Sequence, residues 1–267
     1  MPTLSRIAVH PIKALDPVEP TSVSITEVGG LAGDRVHAIV DGDGNYLNGK
    51  RTDAVNRLGA DVDLDANRVT LGVRGEASRE FHLDDDRDAL AAWLSDYFGV
   101  EVELEAGRGG ELTDSAVYGD GTRTGPTLVS EATLREVASW YDDIDAAEMR
   151  LRMRPNLVVE GVPAFWEDRL VADGGRRFTV GDVTLEGIKP VPRCVVPTRD
   201  PHTGEETPGF RETFLERREA TLPDWIDRSD FPEGLFSLMV IARVPESERD
   251  GTLSVGDELR VGAAVEP

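Results

Sequence analysis

Thr179-Val-Gly-Asp-Val-Thr-Leu185 and Ser254-Val-Gly-Asp-Glu-Leu-Arg260 are two copies of one pattern. Each runs into a Gly-Asp pair and leaves it on alternating apolar and polar residues. Period-two alternation marks a half-buried strand, and a Gly-Asp pair between two such runs turns the chain. Around these copies the C-terminal half reads as strands at Asn156–Glu160, Arg177–Val180, Val183–Glu186, Val195–Thr198, Leu235–Val244 and Leu253–Val261. Many short strands separated by Gly-Asp turns point to a barrel or sandwich with a few helices at its mouth.

The N-terminal third repeats the strand pattern. Leu4–His10, Thr21–Glu27 and Arg35–Asp41 alternate, and Asp41-Gly-Asp-Gly signals a hairpin that returns through Tyr46 and Leu47. Arg68–Val73 and Glu80–Leu83 add two short strands. The period then changes: Leu90, Trp93, Leu94, Tyr97 and Phe98 fall at helical spacing after Asp84-Asp-Asp86, with Gly99 as the stop. This helix is expected to pack on the first sheet. Gly107–Gly125, rich in Gly, Thr and Asp, reads as a long loop or linker. Ser130 then caps a second helix from Glu131 to about Trp140, with Leu134, Val137 and Ala138 inward. The expected fold is mainly β (α+β): an N-terminal β-barrel-like domain over 1–106, then a β-barrel with a few peripheral helices over 107–267.

Charge bounds the function. Among 267 residues, 29 Lys and Arg face 51 Asp and Glu, a formal charge of -22. Only three of the 29 cations are lysines: Lys13, Lys50 and Lys189. An acidic, lysine-poor surface is expected of a protein adapted to concentrated salt, where repulsion is screened beyond about 3 Å at 1 M. No basic stripe offers itself to nucleic acid. The single cysteine, Cys194, excludes an internal disulfide and a four-cysteine iron–sulfur cluster. Without a signal-peptide pattern or an apolar run of about 18 residues, a soluble cytoplasmic protein with no membrane partner is expected.

Three windows could carry chemistry. In Lys189–Glu205, Cys194 follows Arg193 between Pro-rich and turn-rich flanks, with Arg199, Asp200 and His202 close behind. A neighbouring guanidinium favours the thiolate, a nucleophile and a soft metal ligand. A lone cysteine is more often a small buried hydrophobe, but these polar flanks favour function. In Arg150–Gly161, extended chain would place Arg150, Arg152, Arg154 and Asn156 on one face, which suits an oxyanion and equally suits a solvated strand face. Pro155 would start that strand at an edge or near the barrel mouth. In the third window, Lys13 follows His10-Pro-Ile and Arg35 follows the glycine-rich turn Gly29–Gly33, where backbone can approach a ligand closely between two cations. His10, His37, His82 and His202 lack zinc-ligand spacing and read as structural. Asp200 reads as an Asx-turn residue.

Taken in order, HPIK…GLAGDR…TLVSEATL…RMRPNLVV…FWED…PRCVVPTRDPHTGE…LSVGDELRV, spanning Leu4 to Val261, resembles the MOSC-domain proteins preceded by a MOSC N-terminal β-barrel domain, the group of the amidoxime-reducing component. Two positions depart from the family pattern: Lys13 is followed by Ala14 rather than Ser, and Met153 replaces the frequent aromatic before Arg-Pro-Asn. The resemblance implies binding of the pterin-based molybdenum cofactor, with Cys194 as thiolate ligand to the metal. Lys13 and Arg35 would hold phosphate and pterin, and Arg154 and Asn156 would complete the cradle. Ser130, Arg152 and Arg193 would lie on the same group. It further implies reduction of small N-hydroxylated substrates such as amidoximes, with electrons from a separate reductase or ferredoxin. Pyridoxal phosphate binding enters as an expectation with the same resemblance. The alternatives are a cofactor carrier, or a sulfur-transfer protein with a persulfide on Cys194. A Cys-His hydrolase built on Cys194 and His202 lacks an orienting residue.

Overall fold

The computed structural model describes residues 1–107 and 125–264. Its strands and helices follow in chain order as β1 (Thr3–Ile7), β2 (Ser22–Ser24), β3 (His37–Asp41), β4 (Leu58–Asp63), β5 (Arg68–Val73), β6 (Arg79–His82) and α1 (Arg87–Phe98). Next come β7 (Val102–Ala106), β8 (Thr127–Ser130), α2 (Glu131–Ala138), α3 (Ala146–Met153), β9 (Leu157–Glu160), β10 (Arg176–Val180) and β11 (Val183–Pro192). The chain closes with α4 (Phe210–Ala220), β12 (Ser237–Arg243), β13 (Thr252–Ser254) and β14 (Leu259–Ala264). This is a strand-rich α+β fold, as expected. The loop foreseen over Gly107–Gly125 lies, but for its two ends, outside the described residues.

Seven strands form one sheet in the order β1-β9-β8-β12-β11-β10-β14, antiparallel except for β8 and β9. Its two edges meet: Leu4 N–H donates to the Asp257 carbonyl at 2.8 Å and Leu259 N–H to that of Pro2 at 2.9 Å, so the sheet nearly closes into a barrel. Closure leaves few unpaired edge groups. The two Gly-Asp turns sit together at the seam. Gly181, at φ +59, has the Asp257 carboxylate where a side chain would stand, and its N–H donates to the Glu258 carbonyl. Asp257 in turn accepts the Ser254 N–H at 2.8 Å. The two copies of the pattern therefore lock each other.

The N-terminal strands divide between two bodies. β1 pairs with β9 in the seven-stranded sheet, and β2 pairs with β13 in a two-stranded sheet whose Val23 and Leu253 join the barrel core. β3 pairs with β7, and β4-β5-β6 form a meander. These two sheets and α1 enclose a second core around Ile39, Leu71, Phe81, Leu90 and Leu104. α1 ends as expected, with Gly99 left-handed at φ 69 and its N–H on the Ser95 carbonyl.

Several expectations need correction. The arginines of Arg150–Arg154 do not alternate along a strand: Ala146–Met153 is helical. Asp145 caps it, accepting the Glu148 N–H at 2.8 Å, and Ala-Ala-Glu-Met-Arg-Leu-Arg-Met is composed of strong helix formers. Met149, Arg152 and Met153 face inward at helical spacing. The helix stops at left-handed Arg154 (φ 54), before Pro155. Val196–Thr198 is a 3-10 turn with Pro197 in it, not a strand. Leu253–Val261 is split by its Gly-Asp turn into β13 and β14, whereas the strand beginning at Val183 runs on to Pro192. The strands β4 and β7 and the helix α4 are additional to the elements legible in the sequence pattern. No described helix is long and apolar enough to cross a membrane.

Candidate functional site

A cavity of about 500 Å³ opens between the barrel and the smaller N-terminal body, with walls from both. Its lining carries nine cationic side chains against three carboxylates, a sharp local reversal in a chain of charge -22. Cys194, the one thiol, is on the wall and partly exposed. All three lysines of the chain line it too. The backbone is unusual there. Of the seven non-glycine residues with positive φ among the described residues, four (Ala14, Arg35, Arg154 and Met239) line the cavity. Left-handed backbone is costly for side-chain-bearing residues and concentrates where a site must aim particular groups.

β11 delivers the thiol. It pairs with β12 through two register shifts, and beyond its end Arg193 N–H still donates to the Phe236 carbonyl at 2.7 Å. Cys194 follows, and its Sγ accepts the Val196 N–H at 3.5 Å as the chain enters the 3-10 turn. Arg193 bends back to give Nη2–H to the Met153 carbonyl at 3.1 Å, while its buried Nε has no partner among the described residues. Burial pulls Arg193 down to about 10, with the repulsion of Arg35 adding to this and the attraction of Cys194 opposing it.

Arg35 and Arg154 reach the same space from opposite sides. Arg35 contacts Asp34 at 2.5 Å, and Asp34 also accepts the His10 N–H at 2.8 Å. Burial alone would raise the Asp34 carboxyl, but Arg35 and the His10 contacts outweigh it and hold it well below the ordinary range. Arg154 donates to the Leu15 carbonyl at 2.6 Å, and burial, then repulsion by Arg35, brings it down to about 9. Burial and Arg154 depress His10 to about 3, so His10 is neutral. Lys13 is buried, its Nζ 3.7 Å from the centroid of the Tyr46 ring. Cys194, Lys13, Arg35, Arg154 and Arg193 thus converge.

The remaining expected residues serve the frame. Asn156 lines the cavity, but its carboxamide donates to the Ala8 carbonyl at 3.0 Å and accepts from the N–H and hydroxyl of Thr127, both at 3.2 Å. It ties the start of β9 to β8 and the end of β1. Arg152 spends its guanidinium on Glu148, the Pro197 carbonyl and the Thr207 hydroxyl. Ser130 does not reach the cavity: fully buried, it caps α2 by accepting the Thr133 N–H at 3.0 Å. Asp200 makes the expected Asx turn, accepting the N–H groups of His202 and Thr203 at 2.8 and 2.7 Å. Sequence reasoning missed Lys50, Arg74 and Lys189 as wall residues. The signal was present in the scarcity of lysine. Among the described residues, no group of three or more His, Cys, Asp or Glu side chains could hold a metal ion.

A nearly closed barrel joined to a smaller β unit, with one thiol facing a cationic cavity, defines a MOSC-type architecture. Residues 127–260 match the MOSC domain and residues 1–101 the MOSC N-terminal beta barrel domain, and the chain belongs to this family. Mitochondrial amidoxime reducing component 2 of Rattus norvegicus is 25% identical over 234 residues, 76% of this chain and 68% of that protein. Mitochondrial amidoxime-reducing component 1 of Homo sapiens is 21% identical over 238 residues, 76% of this chain and 67% of its own. Molybdenum cofactor sulfurase of Caenorhabditis briggsae is 29% identical over 112 residues, 41% of this chain but 15% of that protein.

Proposed function

We propose that the chain is a molybdenum-cofactor-dependent reductase of small N-hydroxylated compounds, fed by a separate electron donor and working in the cytoplasm. The observation that carries this reading is the placement of the sole thiol on a cavity wall with Arg35, Arg154 and Arg193. The residues present fit a pterin-molybdenum group: a thiol is a soft metal ligand, guanidinium forks match phosphate, and the buried Nε of Arg193 has no partner among the described residues. When bound, that group supplies two-electron oxygen-atom chemistry, by which an amidoxime takes up two electrons and two protons and leaves as amidine and water. Cys194 would ligate the metal. Lys13, Arg35, Arg154 and Arg193 would hold the anionic part of the cofactor, Asp34 fixing the Arg35 fork. Asn156 and Arg152 would brace the walls. The two modules, 1–106 and 107–267, act as one unit in this scheme, because both line the cavity. Pyridoxal phosphate has no part in this reading.

The test is protein made in a host that produces the cofactor. Near-stoichiometric molybdenum and reduction of benzamidoxime with an artificial reductant are expected, both lost in Cys194→Ala. Turnover that survives this substitution would refute the ligand assignment. The partial exposure of Cys194 favours one second reading, sulfur transfer through a persulfide, which mass spectrometry of the native protein would reveal as an added sulfur on Cys194.

A further inference from the structure

The cavity holds two sets of cations. Arg35, Arg154 and Arg193 perturb one another electrostatically and, with buried Lys13, form the inner set. The second set, Lys50 and Arg199, lines the same cavity as Cys194. Lys50 is solvent-exposed, and the Asn48 carboxamide holds its turn by accepting the Lys50 N–H at 3.0 Å. Gly49 beside it is packed so closely on Val196 that an added Cβ would stand 3.3 Å from Cγ2. Val196 is the residue whose N–H meets Cys194 Sγ. The turn that carries Lys50 therefore packs on the residue that contacts the thiol, and Lys50 lines the same cavity. Arg199 leaves the same 3-10 turn on its far side, anchored by Nη1–H to the Gly204 carbonyl at 3.1 Å. Lys50, Arg199 and Cys194 line one cavity of about 500 Å³, so a small molecule with its reacting end at Cys194 and its distal end toward these cations stays within a single space.

Residue type strengthens the point. This chain spends nearly all its positive charge as arginine, yet places every lysine on this cavity. Of the three, Lys13 is buried with the inner set and Lys189 pairs with Glu233 at 2.5 Å, while Lys50 stands exposed, where an ammonium on a flexible stem suits an anion that arrives and leaves. We propose that the physiological substrate carries an anionic group, a carboxylate or a phosphate, distal to its N-hydroxylated centre, and that Lys50 and Arg199 receive it. This inference rests on the reductase reading and narrows its substrate class.

The loaded enzyme is assayed with benzamidoxime and with its 4-carboxy, 4-phosphate and 4-aminomethyl derivatives at about 0.1 M and about 1 M salt. The anionic compounds should show kcat/KM about five- to tenfold above the neutral one at the lower salt, chiefly through KM. The better of the carboxylate and phosphate arms identifies the group. Lys50→Gln should erase most of the advantage, and Lys50→Glu should transfer it to the aminomethyl compound. Arg199→Gln should act like Lys50→Gln. Titration calorimetry with the non-reducible 4-carboxybenzamide and benzamide reads the same preference without turnover. Equal handling of neutral and anionic substrates, or a preference that survives in Lys50→Glu, overturns the inference while leaving the reductase reading intact. No reduction of any of the four, with 4-carboxybenzamide still favoured over benzamide, overturns the reductase reading instead.

Discussion

Arg152 on α3 donates an Nη1–H to the carbonyl oxygen of Pro197 at 3.0 Å, and the two residues lie 45 positions apart. Pro197 sits in the 3-10 turn that follows the thiol, so the helix holds the Cys194 segment from behind. Glu148 and Thr207 fix the other guanidinium nitrogens. Replacing Arg152 by Met keeps the stem but leaves the Pro197 carbonyl without its donor. Urea unfolding should show a loss of about 2 kcal/mol. Alkylation of Cys194 by iodoacetamide should quicken more than in a variant equally destabilised at a distant position.

Glu167 supplies a pH signature. It is 1% exposed; burial, and then Asp168 beside it, raises its carboxyl from 4.5 to about 7. Asp168 itself pairs with fully buried Arg218. A carboxyl raised in the folded state binds its proton more tightly there than in the unfolded chain. Its contribution is present below about 4.5 and is lost as pH rises toward 7. Glu167→Gln should therefore gain stability over the parent at pH 8 but not at pH 4, by about 3 kcal/mol at most. Thermal melts across this range check it.

His10 titrates with the opposite consequence. Its neutral form is favoured in the folded protein, so the unfolded state binds more protons between about 3 and 6.5. Stability is lost as pH falls through that window. His10→Gln should flatten this part of the profile, measured in the same melts.

Gly187 on β11 lies against the Leu170 carbonyl so closely that an added Cβ would overlap it. Gly187→Ala must push the 3-10 turn Trp166–Leu170 away from β11. A loss of about 3 kcal/mol or more is expected in denaturant unfolding, at the upper end of the overpacking range.

The charge of -22 predicts the salt response. Self-repulsion among carboxylates weakens as the Debye length shrinks from about 10 Å at 0.1 M to about 3 Å at 1 M. The melting temperature should rise steadily as potassium chloride is added over that range. A flat response would remove the case for adaptation to concentrated salt.

Legibility from sequence followed local chemistry. The Gly-Asp turns, the helix closed by Gly99 and the helix opened by Ser130 were readable because period and cap agree at each. The segment Arg150–Arg154 misled because i, i+2 spacing of charge imitates a strand face, while the helix signals lay in Asp145 and in the propensity of the residues between. Val195–Thr198 misled because two β-branched residues precede Pro197, whose ring favours a turn. Ser130 was recognised as a cap, and that role uses up its hydroxyl. Cys194, Arg193, Lys13 and Arg35 stood out from their neighbours, whereas Arg154 came forward only through the family resemblance. Arg74 could not be foreseen, because only the packing of the smaller body against the barrel brings it to the cavity, whereas the scarcity of lysine pointed to Lys50 and Lys189.

The pairing of β1 with β9 and β2 with β13 sets an order of events during synthesis. Lys13 and Ile241 share the cavity, so its walls are complete only after the chain has been made as far as Ile241. A nascent fragment ending before β12 carries the cations and the thiol but lacks a strand of the wall. Any ligand kept there must be installed afterwards, through the opening the finished protein presents.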